Sequence, residues 1–181
     1  NRVGPGVVHH MDYGLIKVGE FVDVDRQRVT RLVEVLKEAR IPAQALDSLL
    51  YGRWEKLVWN VPFNGLSAAL DMTTDLIVAS EPGCRKVAAI IEEVVSAARS
   101  QGVVLPEGIA QAKIEQTRTM GAYRTSMHID RCEGREMEIE AILGEPLARA
   151  QRAEVQMVHT QQLFELLQIV NLGNTSRSAN L

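Results

Sequence analysis

DRQRVTRLVEVLKEARI, residues 25–41, is where the chain declares its fold class. Val29, Leu32, Val33, Leu36 and then Ala39 or Arg40 recur at i, i+3, i+4 and i+7, the period of an amphipathic helix, with Asp25 at the N-cap position. Pro42 ends that helix, because its ring removes a backbone donor and clashes with the preceding turn. Downstream the same period persists. A second helical stretch is expected over 43–70, interrupted only by Gly52, Pro62 and Gly65, with a kink at Pro62. Thr73-Thr74-Asp75 opens a short helix reaching Glu81-Pro82-Gly83. CRKVAAIIEEVVSAARS (84–100) is a strongly apolar helix stopped by Gly102, and Pro106 at N1 opens another to about Met120. Helices over 135–152 and 154–170 follow, and the polar residues 172–181 read as a frayed tail.

Upstream of residue 24 the pattern differs. GVVHH and GLIKVGE read as two short β-segments around a turn at Asp12-Tyr13-Gly14. Such a ribbon is marginal alone, so its partners are expected elsewhere in a sheet or in another chain. The expected architecture is mainly α with a short N-terminal β-ribbon, divided as ribbon 1–23, helical body 24–171 and tail 172–181.

Composition agrees. The chain has 181 residues, 46% hydrophobic, 24% charged and only 4% aromatic, with a net charge of −3. That excludes a disordered or fibrous chain and favours helix-on-helix packing over a β-sandwich. It advertises no basic groove for nucleic acid. No apolar run is long enough to cross a membrane, and nothing reads as a signal peptide. Cys84 and Cys132 stand in no metal-ligand spacing, which suggests free thiols in a reducing cytoplasm. The chain opens Asn1-Arg2 rather than with Met, the start expected of a segment of something longer.

Chemistry concentrates in two stretches. In WEKLVWNVPFNGL (54–66), Lys56, Asn60 and Asn64 are spaced i, i+4, i+8 and drift by only about 40° per step around a helix, so one cation and two amides share a face among apolar neighbours. The stripe reads either as a solvated polar face or as a site whose partly desolvated lysine donates a proton near neutral pH. In GAYRTSMHIDRCEGREMEIEAILG (121–144), Thr125 or Ser126 caps a short turn ending at Gly134. Glu136, Glu138 and Glu140 then lead into the next helix, where acidic residues complement its dipole. Ser126, His128 and Asp130, at i, i+2, i+4, do not converge as a hydrolase triad. His128 and His159 lack a partner at metal-ligand spacing, so no metal site is expected. Gly4-Pro5-Gly6 begins no GxGxxG phosphate loop.

Taken together, Lys56-x3-Asn60-x3-Asn64 and Ser126-Met127-x2-Asp130-x3-Gly134-Arg135-x2-Glu138-Ile139 resemble the C-terminal helical domain of the ketopantoate reductase (2-dehydropantoate 2-reductase) family. EEVVSAARSQG (92–102) and the turn Gly102-Val103-Val104-Leu105-Pro106 resemble it too, and the opening ribbon looks like the last strands of the family's nucleotide-binding domain. The resemblance implies a helical fold similar to the 6-phosphogluconate dehydrogenase C-terminal domain, with the ribbon left from a Rossmann domain. It implies reduction of ketopantoate to pantoate with NADPH, on the route to pantothenate and coenzyme A. Lys56 would protonate the ketone oxygen, and Glu138 would hydrogen-bond the substrate hydroxyl. Asn60, Asn64 and Ser126 would bind substrate. NADPH would be held mainly by a Rossmann domain that this chain lacks, leaving the chain alone inactive. Tyr123 stands where some members carry a substrate-binding asparagine, and Val155-Gln156-Met157-Val158-His159 replaces the family's usual Val-Pro-x-Asn. Two alternatives therefore stay open: a reductase of another bulky 2-oxo acid, and a non-catalytic helical interaction module. Val87, Ile90, Ile91, Val94 and Val95 either form a homodimer face or belong to the core.

Overall fold

The structure, a computed structural model, describes residues 2–9, 14–22 and 26–178. The expected N-cap Asp25 and the turn residues Asp12 and Tyr13 lie outside the described residues. The chain forms two compact units that divide after Gly52.

In the first unit, β1 (Arg2–Gly4) pairs antiparallel with β2 (Val7–Val8). Gly6, at φ 72°, supplies the left-handed turn residue between them. Gly4-Pro5-Gly6 is thus a hairpin turn. The segment GLIKVGE contributes β3 (Ile16–Val18), which pairs not with β2 but in parallel with β4 (Ala43–Ala45). Between them lies α1 (Arg26–Glu38), packed on β4. The result is a β-α-β unit, in which the second segment of the expected ribbon finds its sheet partner elsewhere in the chain. Its core is Val29, Val33 and Ala43, with Val18 and Leu36 packed against them. Arg40, at φ 60°, closes α1, and Ile41 N–H returns to the Leu36 carbonyl at 2.8 Å. This turn delivers residues 43–45 to the strand edge, which is why the helix expected from residue 43 begins later.

That helix, α2 (Leu49–Leu70), runs unbroken through the buried Pro62. In the second unit it is followed by α3 (Thr74–Ala79), α4 (Glu81–Ser100), α5 (Ile109–Arg118) and α6 (Ser126–Cys132). A π-helical turn (Glu140–Gly144) leads directly into α7 (Glu145–Arg152), and α8 (Val158–Ser178) closes the chain. α4 is central, packing against α3, α5, α7 and α8. Its Val87, Ile90, Ile91 and Val94 are fully buried. The apolar face that sequence alone left open as a dimer surface is therefore core. α4 ends in a Schellman turn: Gly102, at φ 76°, donates to Arg99 O and Val103 N–H to Ala98 O, both at 3.0 Å.

Other expected boundaries move as well. α4 starts at Glu81, capped by Ser80, rather than at Cys84. α5 starts at Ile109 behind a left-handed Gly108, so Pro106 lies in the preceding turn rather than at N1. The segment read as a frayed tail continues as helix to Ser178.

Candidate active site

α2 carries Lys56, Asn60 and Asn64, and their burial differs along the stripe. Lys56 is exposed, Asn60 half-buried and Asn64 only 3% exposed. Within these helices nothing desolvates Lys56 as its apolar sequence neighbours suggested. Among the described residues, no side-chain hydrogen bond or ion pair engages Lys56 or Glu138.

Asn64 has a definite task. Its Oδ1 accepts from Ser126 Oγ at 3.2 Å and from Met127 N–H at 3.4 Å. An amide on one helix thereby satisfies a free donor in the first turn of another. Thr125 caps the same turn, its Oγ1 accepting from His128 N–H at 3.3 Å. Of the two N-cap candidates the structure selects Thr125, which frees Ser126 to present its exposed hydroxyl beside Asn64.

The rest of the second motif is a helix stop followed by an irregular segment. Gly134 sits at φ 67°, its N–H bonds Arg131 O at 3.1 Å, and Arg135 N–H bonds Asp130 O at 2.8 Å, a Schellman closure of α6. The Arg135 guanidinium grips Asp130 Oδ1 at 2.9 and 2.7 Å. Residues 135–138 then lie outside helix and strand, and Ile139 N–H turns back onto the Met137 carbonyl at 2.8 Å. Met137 is buried, with its N–H on Asn171 Oδ1 of α8 at 3.3 Å, whereas Glu138 is exposed. Glu136 and Glu138 thus precede the helix they were expected to open, and only Glu140 lies in its first turn.

Aromatic packing supports the stripe. Trp59 stacks on Phe63 at 5.0 Å, meets Tyr123 edge-on at 6.0 Å, and donates Nε1–H to Thr117 Oγ1 at 2.9 Å. Tyr123, the departure from the family pattern, is accordingly a packing partner of α2.

The structure brings Asn64 and Ser126 into contact and sets Lys56 and Asn60 along the same helix as Asn64. Among the described residues, no hydrogen bond or ion pair joins Glu138 to the other four.

Sequence reasoning missed a second cluster. His128, buried in α6, has partners that its spacing was expected to deny it: Nε2 lies 2.8 Å from Asp71 Oδ1, and Cys132 Sγ lies 3.5 Å from that same oxygen. Cys132 stands four residues after His128, a helical ligand spacing that was legible. Asp71, in a left-handed conformation (φ 57°) just past the end of α2, was not. Hydrogen bonds from His128 and then Cys132 hold the Asp71 carboxyl below its ordinary range. Partial desolvation, then the neighbouring carboxylate, push the Cys132 thiol up.

Comparison with known proteins shows the family. The family described as Ketopantoate reductase PanE/ApbA C terminal matches residues 48–171. A 2-dehydropantoate 2-reductase of Nostoc sp. is 38% identical over 179 residues, covering 96% of this chain and 56% of its own length. The crystal structure of 2-dehydropantoate 2-reductase from Geobacter metallireducens superposes with a TM-score of 0.88 at 40% identity, over 93% of this chain and 56% of that one. A ternary structure of D-mandelate dehydrogenase with NADH and anilino(oxo)acetate shares the fold alone, with a TM-score of 0.83 at 21% identity over 92% of this chain and 70% of that one. The chain spans little more than half the length of the reductases it matches. With the match to the family extending over most of the helical body and both site motifs within it, this chain belongs to the ketopantoate reductase family, as its C-terminal region.

Proposed function

We propose that this chain is the substrate-binding part of an NADPH-dependent 2-oxo-acid reductase that converts ketopantoate to pantoate in the cytoplasm. The observation that carries the reading is the join between the two motifs. Asn64 on α2 holds the first turn of α6, so that the Ser126 hydroxyl is presented beside the helix that bears an uncommitted Lys56. The helical body is read as the 6-phosphogluconate dehydrogenase C-terminal type.

The residues present do not fit the dinucleotide. No GxGxxG loop occurs in the sequence to cradle its pyrophosphate, and the cofactor is assigned to a nucleotide-binding domain of the full-length protein. When bound there, the nicotinamide supplies hydride. This chain's part is to bind, orient and protonate. The Lys56 ammonium donates its proton to the ketone oxygen and stabilises charge developing on it. Glu138 accepts a hydrogen bond from the substrate hydroxyl. Ser126 and Asn60 hold the substrate's polar groups, and Asn64 holds Ser126.

A second reading, a bulkier 2-oxo acid, is favoured by Tyr123. A ring packed on Trp59 stands where some family members carry an amide, and a chain of this fold binds the aromatic anilino(oxo)acetate. The test is NADPH oxidation by the full-length protein against a panel of 2-oxo acids. The highest kcat/KM is expected with ketopantoate. A higher value with an aromatic 2-oxo acid selects the second reading, and turnover of none refutes both.

A further inference from the structure

We propose that Asp71, His128 and Cys132 form a binding site for a single thiophilic divalent cation, Zn2+ by its chemistry, that clamps the end of α2 to α6. The candidate ligand atoms, one carboxylate oxygen, one imidazole nitrogen and one thiol sulfur, all lie within 4.8 Å of one another. Around a tetrahedral zinc, with bonds of about 2.0–2.3 Å, ligand atoms sit roughly 3.5 Å apart, so only small side-chain adjustments separate this arrangement from coordination. Asp71 and Cys132 are exposed and free to make them.

The buried member is pre-aimed. Ser67 Oγ donates to the Met72 carbonyl and lies 3.4 Å from His128 Nδ1, placed to accept from that nitrogen when it carries the ring proton, while Nε2 faces Asp71 at 2.8 Å. A partner on the distal ring nitrogen is the usual support of a metal-binding histidine. His128 and Cys132 project from one face of α6 at i, i+4, and the left-handed backbone of Asp71 turns its carboxylate back onto them. Imidazole, thiolate and carboxylate together suit zinc rather than magnesium or calcium, and three protein ligands leave one position for water. On binding, the thiol proton is released to solvent, and the neutral imidazole ligates through Nε2 with its one ring proton on Nδ1. Arg131 lies near but is committed to the α2 carbonyls of Ala68 and Ala69.

This site owes nothing to the proposed reaction, and its test needs no turnover. The full chain, with thiols kept reduced by a phosphine and metal removed by chelation, is titrated with Co2+ alone. One equivalent is expected to give a thiolate-to-cobalt charge-transfer band and tetrahedral visible bands, bleached by one equivalent of Zn2+. Cys132→Ser, at an exposed position where folding is retained, should abolish the charge-transfer band, whereas Cys84→Ser should keep it. Asp71→Asn should weaken cobalt binding by about tenfold or more. Zinc should raise the melting temperature of the wild type and of Cys84→Ser but not of Cys132→Ser. The absence of a charge-transfer band in the wild type, its persistence in Cys132→Ser, or its loss in Cys84→Ser would each overturn the proposal.

Discussion

Lys56 and Asn64 lie two helical turns apart on one helix, yet they face different fates. Lys56 is exposed and uncommitted, whereas Asn64 is buried and holds both Ser126 and Met127. In the full-length reductase, Lys56→Ala should lower kcat by about 10²–10⁴, the range of a general acid. Retention of more than about a tenth of wild-type kcat would remove that role. Glu138→Ala loses a hydrogen bond to a charged acceptor, about 1.5–3 kcal/mol, and should raise KM roughly ten- to hundredfold with a smaller change in kcat. Asn64→Ala should act on stability first. It leaves the Met127 amide unsatisfied beneath the helix, a cost of about 1–3 kcal/mol that urea denaturation would read, and Asn64→Asp, which keeps the acceptor, should recover part of it. The i, i+4, i+8 spacing made the shared face of these residues legible. It could not show which member is buried, because that depends on α6, more than sixty residues away.

Among the elements, the tightest junction joins α3 to α4, where Ser80 ends one helix and caps the next. Its Oγ accepts from Gly83 N–H at 3.1 Å. A Cβ on Gly83 would lie 2.0 Å from the Ile77 carbonyl oxygen, a backbone atom that cannot step aside. Gly83→Ala should therefore destabilise by about 1–3 kcal/mol or more, although alanine is intrinsically the better helix residue. Gly173 in α8 meets nothing within 4 Å, so Gly173→Ala should stabilise by about 0.5–1 kcal/mol. Opposite signs in paired thermal melts would bear this out, and two shifts of the same sign would not. The helices themselves were legible because the apolar period of α1 and α4 is strong and Gly102 marks a stop. β4 was not: Ala43-Gln44-Ala45 has the composition of a helix start, and only its pairing with β3 makes it a strand. The π-turn escaped for a related reason. Glu140–Gly144 keeps a helical pattern in sequence, and its widened turn is set by packing, with Phe164 3.2 Å from where a Gly144 Cβ would stand.

At the scale of the whole molecule, the proposed reaction divides its tasks between these residues and the nucleotide-binding domain proposed for the full-length protein. The β-α-β unit of residues up to 52 has the local topology in which dinucleotide folds are built, but between β3 and α1 the sequence runs Gly19-Glu20-Phe21-Val22-Asp23-Val24-Asp25 and contains no glycine-rich fingerprint. The proton donor and the substrate contacts are proposed for the helical unit alone, so a substrate bound to it would have no hydride donor placed against its carbonyl. Positioning of two reactants is worth roughly 7–11 kcal/mol of barrier, more than any side chain of this chain supplies. The isolated 181-residue chain should therefore fold, show no measurable oxidation of NADPH with ketopantoate, and bind NADPH no more tightly than about millimolar, where a dissociation constant corresponds to only about 4 kcal/mol. The full-length protein should bind NADPH orders of magnitude more tightly under the same conditions. Isothermal titration calorimetry of both proteins decides the matter: low-micromolar NADPH binding to the 181-residue chain would mean that the cofactor site lies within these residues, and the division of labour proposed for the two parts of the enzyme would be wrong.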